Sequence, residues 1–336
     1  MNIVIPMAGL GKRMRPHTLT TAKPLIPVAG KPVVQRLVED ITKVCGEQVD
    51  EIAFIINPDF GPQVEKNLLN IAESQSAKGS IWYQKEALGT AHAIMCAEPV
   101  LKGKTVVAFA DTLFKADFKM DTSHDGVIWV QKIDDPSQFG VVKLNEQNII
   151  TDFVEKPKEF VSDLAIIGIY YFKDGEYLKS ELKYLLDNNI REKGEFQLTN
   201  ALENMKGKGT KFVPGRVSEW LDCGNKSATV HTNQRVLEYD LSAGKPLREQ
   251  EVFLENSVVI EPCFIGKNTR LVNSVIGPHV SIGESSSVEN SVIRNSIIQK
   301  NSKLISVNIA DSMIGNNSEV HGKPGDYNIG DFTLIA

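Results

Sequence analysis

Up to about residue 225 the chain alternates short aliphatic runs with stretches whose apolar residues recur every three or four positions. Runs at residues 3–7, 52–56, 81–84, 106–110, 127–130, 140–144 and 166–172 are rich in Val and Ile. Most lack polar alternation, which predicts strands buried on both faces. Between the first two, Val34, Leu37, Val38 and Ile41 form a helical stripe with Pro32 near its start. Further helices are expected over 90–97, 175–186 and 197–205. Another, over 226–241, leads to a Gly-Lys-Pro stop at 244–246. Strands alternating with helices predict an α/β domain.

Beyond residue 252 the pattern changes. An Asn/Asp-Ser-aliphatic-aliphatic unit recurs, and Ser257, Ser274 and Ser291 stand 17 residues apart. Ile265, Leu271, Ile276, Ile282, Val288, Ile293, Ile298, Leu304, Ile309, Ile314 and Val320 step by five or six. That interval predicts a hexapeptide-type solenoid of about four coils, each made of three short strands whose aliphatics stack into one core. A plain sandwich would not repeat in register at one interval. The pattern resembles the left-handed parallel β-helix, with polar residues expected to fill the corners and Gly266, Gly277, Gly283 and Gly315 to supply permissive backbone there. The expected boundaries are 1–225 for the α/β domain, 226–250 for a helical linker, 251–322 for the β-helix and 323–336 for a cap or tail.

Composition narrows the classes. A 42% hydrophobic content excludes bulk disorder, and no uncharged apolar run approaches the ~20 residues of a membrane span. The N-terminus lacks a basic leader, so no export signal is expected. Cys45, Cys96, Cys223 and Cys263 are scattered without metal-ligand or disulfide spacing, which predicts a reducing cytoplasm. A net charge of −5 argues against nucleic acid or an anionic membrane as partner. Yet residues 1–38 contain no Asp or Glu and carry Lys12, Arg13, Arg15, Lys23, Lys31 and Arg36, leaving the remainder at −11. Such a segment is either a solvated basic face or a site for a small polyanion.

The first predicted strand runs into Ala8-Gly9-Leu10-Gly11-Lys12-Arg13. Two glycines let backbone N–H groups crowd round an anion. The dinucleotide fingerprint fails because Met14 stands where its third Gly belongs, and a P-loop fails because Arg13 stands where Ser or Thr belongs. The segment PMAGLGKRMRPHTLTTAKPLIPVAGKP nevertheless resembles the opening signature of the sugar-1-phosphate nucleotidyltransferases. The resemblance continues in order through YQKEALGTAHAI (83–94), Ala110-Asp111, FGVV (139–142), VEKP (154–157), IGIY (167–170), EFQLTNAL (195–202) and WLDCGN (220–225). Each block alone is weak, and their order carries the match over about residues 2–225.

The resemblance implies a Rossmann-like mixed sheet and an in-line attack of a sugar-1-phosphate oxygen on the α-phosphorus of a nucleoside triphosphate, with pyrophosphate leaving. Several negative charges then share one cleft, so the protein must supply cations and metal. Met7, Ala8, Gly9, Gly11, Gln84, Gly89 and Thr90 are implied to bind nucleotide. Arg13, Lys23 and Lys156 are implied to act on the phosphates, with Arg13 suited to a bidentate grip and Lys23 to a point charge. Asp111 and Asp222 are implied to share Mg²⁺. Gly140, Glu155, Lys156 and Ile166 are implied to hold the sugar phosphate.

Gln84 offers donor and acceptor to uracil or thymine, favouring UTP or dTTP. Ile166 stands where N-acetylglucosamine-type relatives place an Asn, which favours a glucose-like sugar. The sequence departs from the family pattern at Lys12, Ala22 and Ala110, none of which removes a required charge. GTP or CTP use, or a catalytically silent regulatory subunit, are the alternatives. His279 and His321 show no constellation for acyl transfer, and the solenoid is expected to support a homo-oligomer.

Overall fold

The structure, a computed structural model, describes residues 1–116 and 118–323. The tail expected at 323–336 lies outside the described residues apart from Lys323. The chain divides into two compact units, Met1–Ile26 with Lys31–Asn225, and Pro27–Gly30 with the chain from Lys226 onward. No helix among the described residues is long and apolar enough to cross a membrane.

The first unit runs β1 (Asn2–Pro6), α1 (Val33–Cys45), β2 (Glu51–Ile56), α2 (Pro62–Ser74), β3 (Lys78–Tyr83), α3 (Thr90–Met95) and β4 (Thr105–Ala108). It continues through β5 (Thr112–Lys115), β6 (Gly126–Lys132), β7 (Gly140–Leu144), β8 (Ile150–Glu155), β9 (Leu164–Phe172), α4 (Gly175–Asp187), α5 (Leu198–Gly207), β10 (Phe212–Arg216) and β11 (Glu219–Asp222). The main sheet is ordered β8-β7-β9-β4-β1-β2-β3, with β6 on β9 and β10 on β6. β1 is parallel to β2 and β4, whereas β9 is antiparallel to β4, β6 and β7, so the sheet is mixed. Val4, Ala53, Ile55 and Val107 pack in one cluster with residues of α3, α4 and α5. Their alternates Ile3, Ile5, Ile52, Phe54 and Val106 are equally buried, which explains why these strands lack polar alternation. α1 buries Val34, Leu37, Val38 and Ile41 as its stripe requires, and Pro32 stands at its N-cap.

In the second unit, thirteen short strands stack into three parallel sheets of five, four and four, a left-handed β-helix. The predicted aliphatics form its core, with Ile265, Leu271, Ile276, Ile282, Val288 and Ile293 fully buried. Polar residues fill the corners as expected, but glycine is not their main source of permissive backbone. Gly277 does take a positive φ of 110°, but most corners use Asn, Asp or Ser in the left-handed region, among them Asn256, Asn273, Asn290, Asn295, Asn301, Asp311 and Asn317. Gly266 and Gly283 are small for another reason: a Cβ there would lie 2.7 and 2.6 Å from a backbone nitrogen of the next coil. The serine after a left-handed residue has its own task. The Ser257 hydroxyl accepts from the Ser274 N–H, Ser274 from Ser291, and Ser291 from Val307, at 3.0–3.1 Å. The repeated Asn-Ser is thus a turn residue followed by a rung.

The helix Lys226–Ser242 belongs to this second unit. Its fully buried Asn233 accepts from the Ala29 N–H at 2.9 Å and from the Ser281 hydroxyl at 2.7 Å. One amide therefore ties the 27–30 excursion, the helix and the β-helix together. His279 pairs with Glu238 at 3.0 Å and His321 with Glu319 at 2.7 Å, so both are engaged in local pairs.

Candidate active site

β1 ends at Pro6, and the chain leaves the sheet at the carboxyl end of its central strand, where open α/β sheets hold ligands. Gly11 adopts a left-handed φ of 57° and starts a short 3-10 turn, Lys12–Met14. Met14 is buried and anchors that turn, leaving Lys12 and Arg13 exposed. A Cβ on Gly9 would meet nothing within 4 Å, so backbone there borders open space. The loop forms one wall of a cleft of about 400 Å³. Met7, Ala8, Gly9, Gly11, Arg13, Lys23, Gln84, Gly89, Thr90 and Asp111 all line it.

Gly89 is dictated by sterics. Its φ is 115°, and a Cβ would fall 2.5 Å from the Phe196 carbonyl oxygen. The close approach lets the Phe196 N–H bond Leu88 and its carbonyl accept from Ala91, which welds the 84–90 loop to the segment before α5. The Thr90 hydroxyl strengthens the weld by accepting from the Leu198 N–H at 2.8 Å.

Asp111 follows β4, and Asp222 ends β11. β5 and β11 form a two-stranded antiparallel ladder whose register sets Asp222 opposite Thr112. The Cys223 N–H then donates to the Asp111 carbonyl at 2.9 Å. Two carboxylates remote in sequence are thereby held side by side. Burial raises the Asp222 pKa, and the Asp111 charge raises it further, against the opposing pull of Lys23, the Gly224 N–H and Arg13. The half-buried Lys23 ammonium donates to Asp111 at 2.7 Å. A like-charged carboxylate pair with an ammonium already against it is an environment that favours a cation, and carboxylate oxygens suit magnesium. Among the described residues no cluster of three or more His, Cys, Asp or Glu side chains suits a metal.

A second cleft, of about 210 Å³, adjoins the first and shares Arg13, Thr90, Phe109 and Asp111 with it. Gly140, Glu155, Ile166 and Asp222 line it. Gly140 keeps its floor open, since a Cβ would stand 3.1 Å from the Glu155 carboxylate and 3.3 Å from Ile166. Lys156 is the exception among the expected residues. It lines neither cleft; its side chain is 54% exposed and its ammonium lies 3.5 Å from Glu155. The Lys156 N–H donates to the Phe139 carbonyl at 3.1 Å, in a backbone turned to a φ of 44°.

Sequence reasoning missed several lining residues of this cleft. Phe139 and Trp220 meet edge to face with centroids 4.8 Å apart and form an apolar wall. Tyr170 and Gln197 also line it, as does Thr199, whose buried hydroxyl has no hydrogen-bond partner among the described residues. These side chains sit inside recognised sequence blocks, but no charge or glycine marks them there. Cys45 and Cys263 are buried, with burial pushing their thiols up to about 12 and about 11, so neither is a thiolate nucleophile.

Two adjoining clefts that share Arg13 and Asp111 at the edge of a mixed α/β sheet define the class of fold. The nucleotidyl transferase family model matches residues 3–239, and the chain belongs to that family. It is 28% identical to a bifunctional protein GlmU of Methanococcus maripaludis, over 94% of this chain and 78% of that protein. It is also 28% identical to a glucose-1-phosphate thymidylyltransferase of Streptomyces griseus, over 96% of this chain and 94% of that one. Among solved structures, a Bacillus anthracis chain assigned as a glucose-1-phosphate thymidylyltransferase, in complex with a sucrose, aligns with a TM-score of 0.58 and 25% identity. That alignment covers 69% of this chain and 93% of the other.

Proposed function

We propose that the protein transfers a nucleotidyl group from UTP or dTTP to a glucose-like hexose-1-phosphate, releasing pyrophosphate, with Mg²⁺ held by Asp111 and Asp222. The observation that carries this reading is the β5–β11 register, which sets Asp222 in the second cleft next to Asp111, a residue that both clefts share. The triphosphate takes the first cleft, with its base against Gln84 and Gly89 and its phosphates along the Gly9–Gly11 backbone. Arg13 grips the departing pyrophosphate, and Lys23 offsets charge near the α-phosphate. When bound, Mg²⁺ supplies Lewis-acid charge beside the reacting phosphate. The sugar phosphate takes the second cleft, where Glu155 and the unpartnered Thr199 hydroxyl suit sugar hydroxyls and Ile166 offers nothing polar to an N-acetyl group. Lys156 lines neither cleft and pairs with Glu155 at 3.5 Å, so it meets the sugar's phosphate only by turning from that carboxylate. The names carried by the thymidylyltransferase relatives support the same substrate class.

Pyrophosphate release from a panel of triphosphates and sugar-1-phosphates, with and without magnesium, tests this. Release with UTP or dTTP and glucose-1-phosphate, dependent on magnesium, is expected. Release with GTP or CTP alone would replace the base assignment. No release with any pair would leave a silent regulatory subunit as the better reading.

A further inference from the structure

Resting on the reading just given, we propose that His92 is a positioning residue for base recognition. It locks the Gln84 amide in one orientation, with the carboxamide oxygen toward the nucleotide cleft, and so restricts that cleft to bases bearing a ring N–H.

Gln84 is 8% exposed and its own N–H is held by the Ile56 carbonyl at 2.9 Å, so the residue is fixed at its root. Its Nε2 lies 3.3 Å from the Gly89 carbonyl oxygen, which can only accept. The NH₂ end of the amide must therefore face Gly89. The same Nε2 lies 3.1 Å from His92 Nδ1. With the donor fixed on glutamine, Nδ1 must carry the lone pair and the ring proton must sit on Nε2. Both amide hydrogens are then engaged, and the oxygen, with no partner among the described residues, faces the cleft that Gln84 lines.

An acceptor in that place meets the N3–H of uracil or thymine. Cytosine and adenine present a ring lone pair instead, and two acceptors would face each other. Guanine has a ring N–H, so the lock does not reject it; cleft shape must. His92 sits half-buried on α3, outside the cleft lining. Burial lowers its pKa, Glu86 from the preceding loop raises it, and Arg191 from the segment after α4 lowers it. The neutral ring is thus the state at pH 7. As pH falls through that lowered pKa, Nδ1 gains a proton and two donors meet head to head, so the amide is held by Gly89 alone and loses its fixed orientation toward the base.

The test is the ratio of kcat/KM for UTP, or dTTP, to that for CTP, each with glucose-1-phosphate and magnesium, from pH 8 to pH 5. The ratio cancels titration of the terminal phosphate, and His92→Asn supplies the baseline for protonation of cytosine N3 toward the acid end. In the wild type the ratio is expected to fall by about tenfold across that range beyond this baseline, with the change in KM rather than kcat. His92→Asn, whose side-chain oxygen can accept from Gln84 without titrating, should keep the preference and lose that further fall. His92→Leu should lower the preference at every pH. A flat ratio in the wild type, or an equally steep one in His92→Asn, overturns the role of His92 even if His92→Leu does not fold. A wild type that turns over neither UTP nor dTTP at any pH overturns the functional reading itself, and this inference with it.

Discussion

Asp111 and Asp222 are charged alike and held close, an arrangement that costs folding energy unless something positive is shared. Lys23 meets part of that need at 2.7 Å. Replacing Asp111 by Asn removes a ligand charge and the partner of Lys23 without changing shape. Turnover in Asp111→Asn is expected to fall by about 10²-fold or more, read as pyrophosphate release, with a native circular dichroism spectrum. Near-normal turnover would count against the carboxylate pair as the metal site. At this scale the sequence was legible wherever a residue is charged or is a glycine that no other residue can replace. Arg13, Lys23, Asp111 and Glu155 line the expected clefts. Thr199, Phe139 and Trp220 were illegible because a hydroxyl or an aromatic acquires a role only from what surrounds it. Lys156 shows the converse, since its block was recognised yet its side chain pairs with Glu155 and lines neither cleft.

Among the elements, the legible strands were those buried on both faces, such as β1, β2 and β4. β5, β8, β10 and β11 escaped notice, being short or interrupted by polar residues, as in the Glu-Trp-Leu-Asp of β11. α2 escaped as well, burying only Leu68, Ile71 and Ala72 along 13 residues. In the β-helix the interval of the aliphatics and the polar corners were legible, whereas the permissive backbone expected from glycine comes mostly from Asn, Asp and Ser. Two substitutions test these elements. Gly89→Ala forces a side chain into a φ of 115° and within 2.5 Å of the Phe196 oxygen. It should raise KM for the triphosphate by about tenfold or more and lower the thermal midpoint, because the base loop must pull away from α5. Ile282→Ala empties a fully buried position between coils and should cost about 2–5 kcal/mol in denaturant unfolding.

For the molecule as a whole, charge and connectivity matter most. A cation-bearing segment free of acids, in a chain of net charge −5, draws polyanions by a field that salt screens. The KM for the triphosphate should therefore rise steadily as ionic strength goes from 0.01 to 0.5 M, while a neutral sugar binds indifferently to salt. Connectivity makes a second demand. The chain enters the second unit at Pro27–Gly30 and returns to it at Lys226, and the Ala29 N–H is bonded to Asn233. A fragment ending at Asn225 leaves Val28 and Ala29, both buried, without the Asn233 contact. Its thermal midpoint should be lower than that of the full chain, with greater aggregation on heating. A fragment as stable as the full chain would show that the excursion contributes little. The exposed Val258 and Val292 on the β-helix surface suit the proposed homo-oligomer, which light scattering of the full chain would detect as a mass above 37.1 kDa.

The sequence by itself determined the two kinds of architecture, the nucleotidyltransferase family and the charged inventory of the site. Those follow from periodicity, from ordered motifs and from charges that no core could hold unpaired. Only the tertiary structure decided that Asp222 stands beside Asp111, that the 27–30 segment belongs with the β-helix, and that a half-buried histidine on α3 stands against the Gln84 amide. Strand register and backbone approach made those decisions, and both depend on contacts between residues too distant in the chain for any local pattern to record.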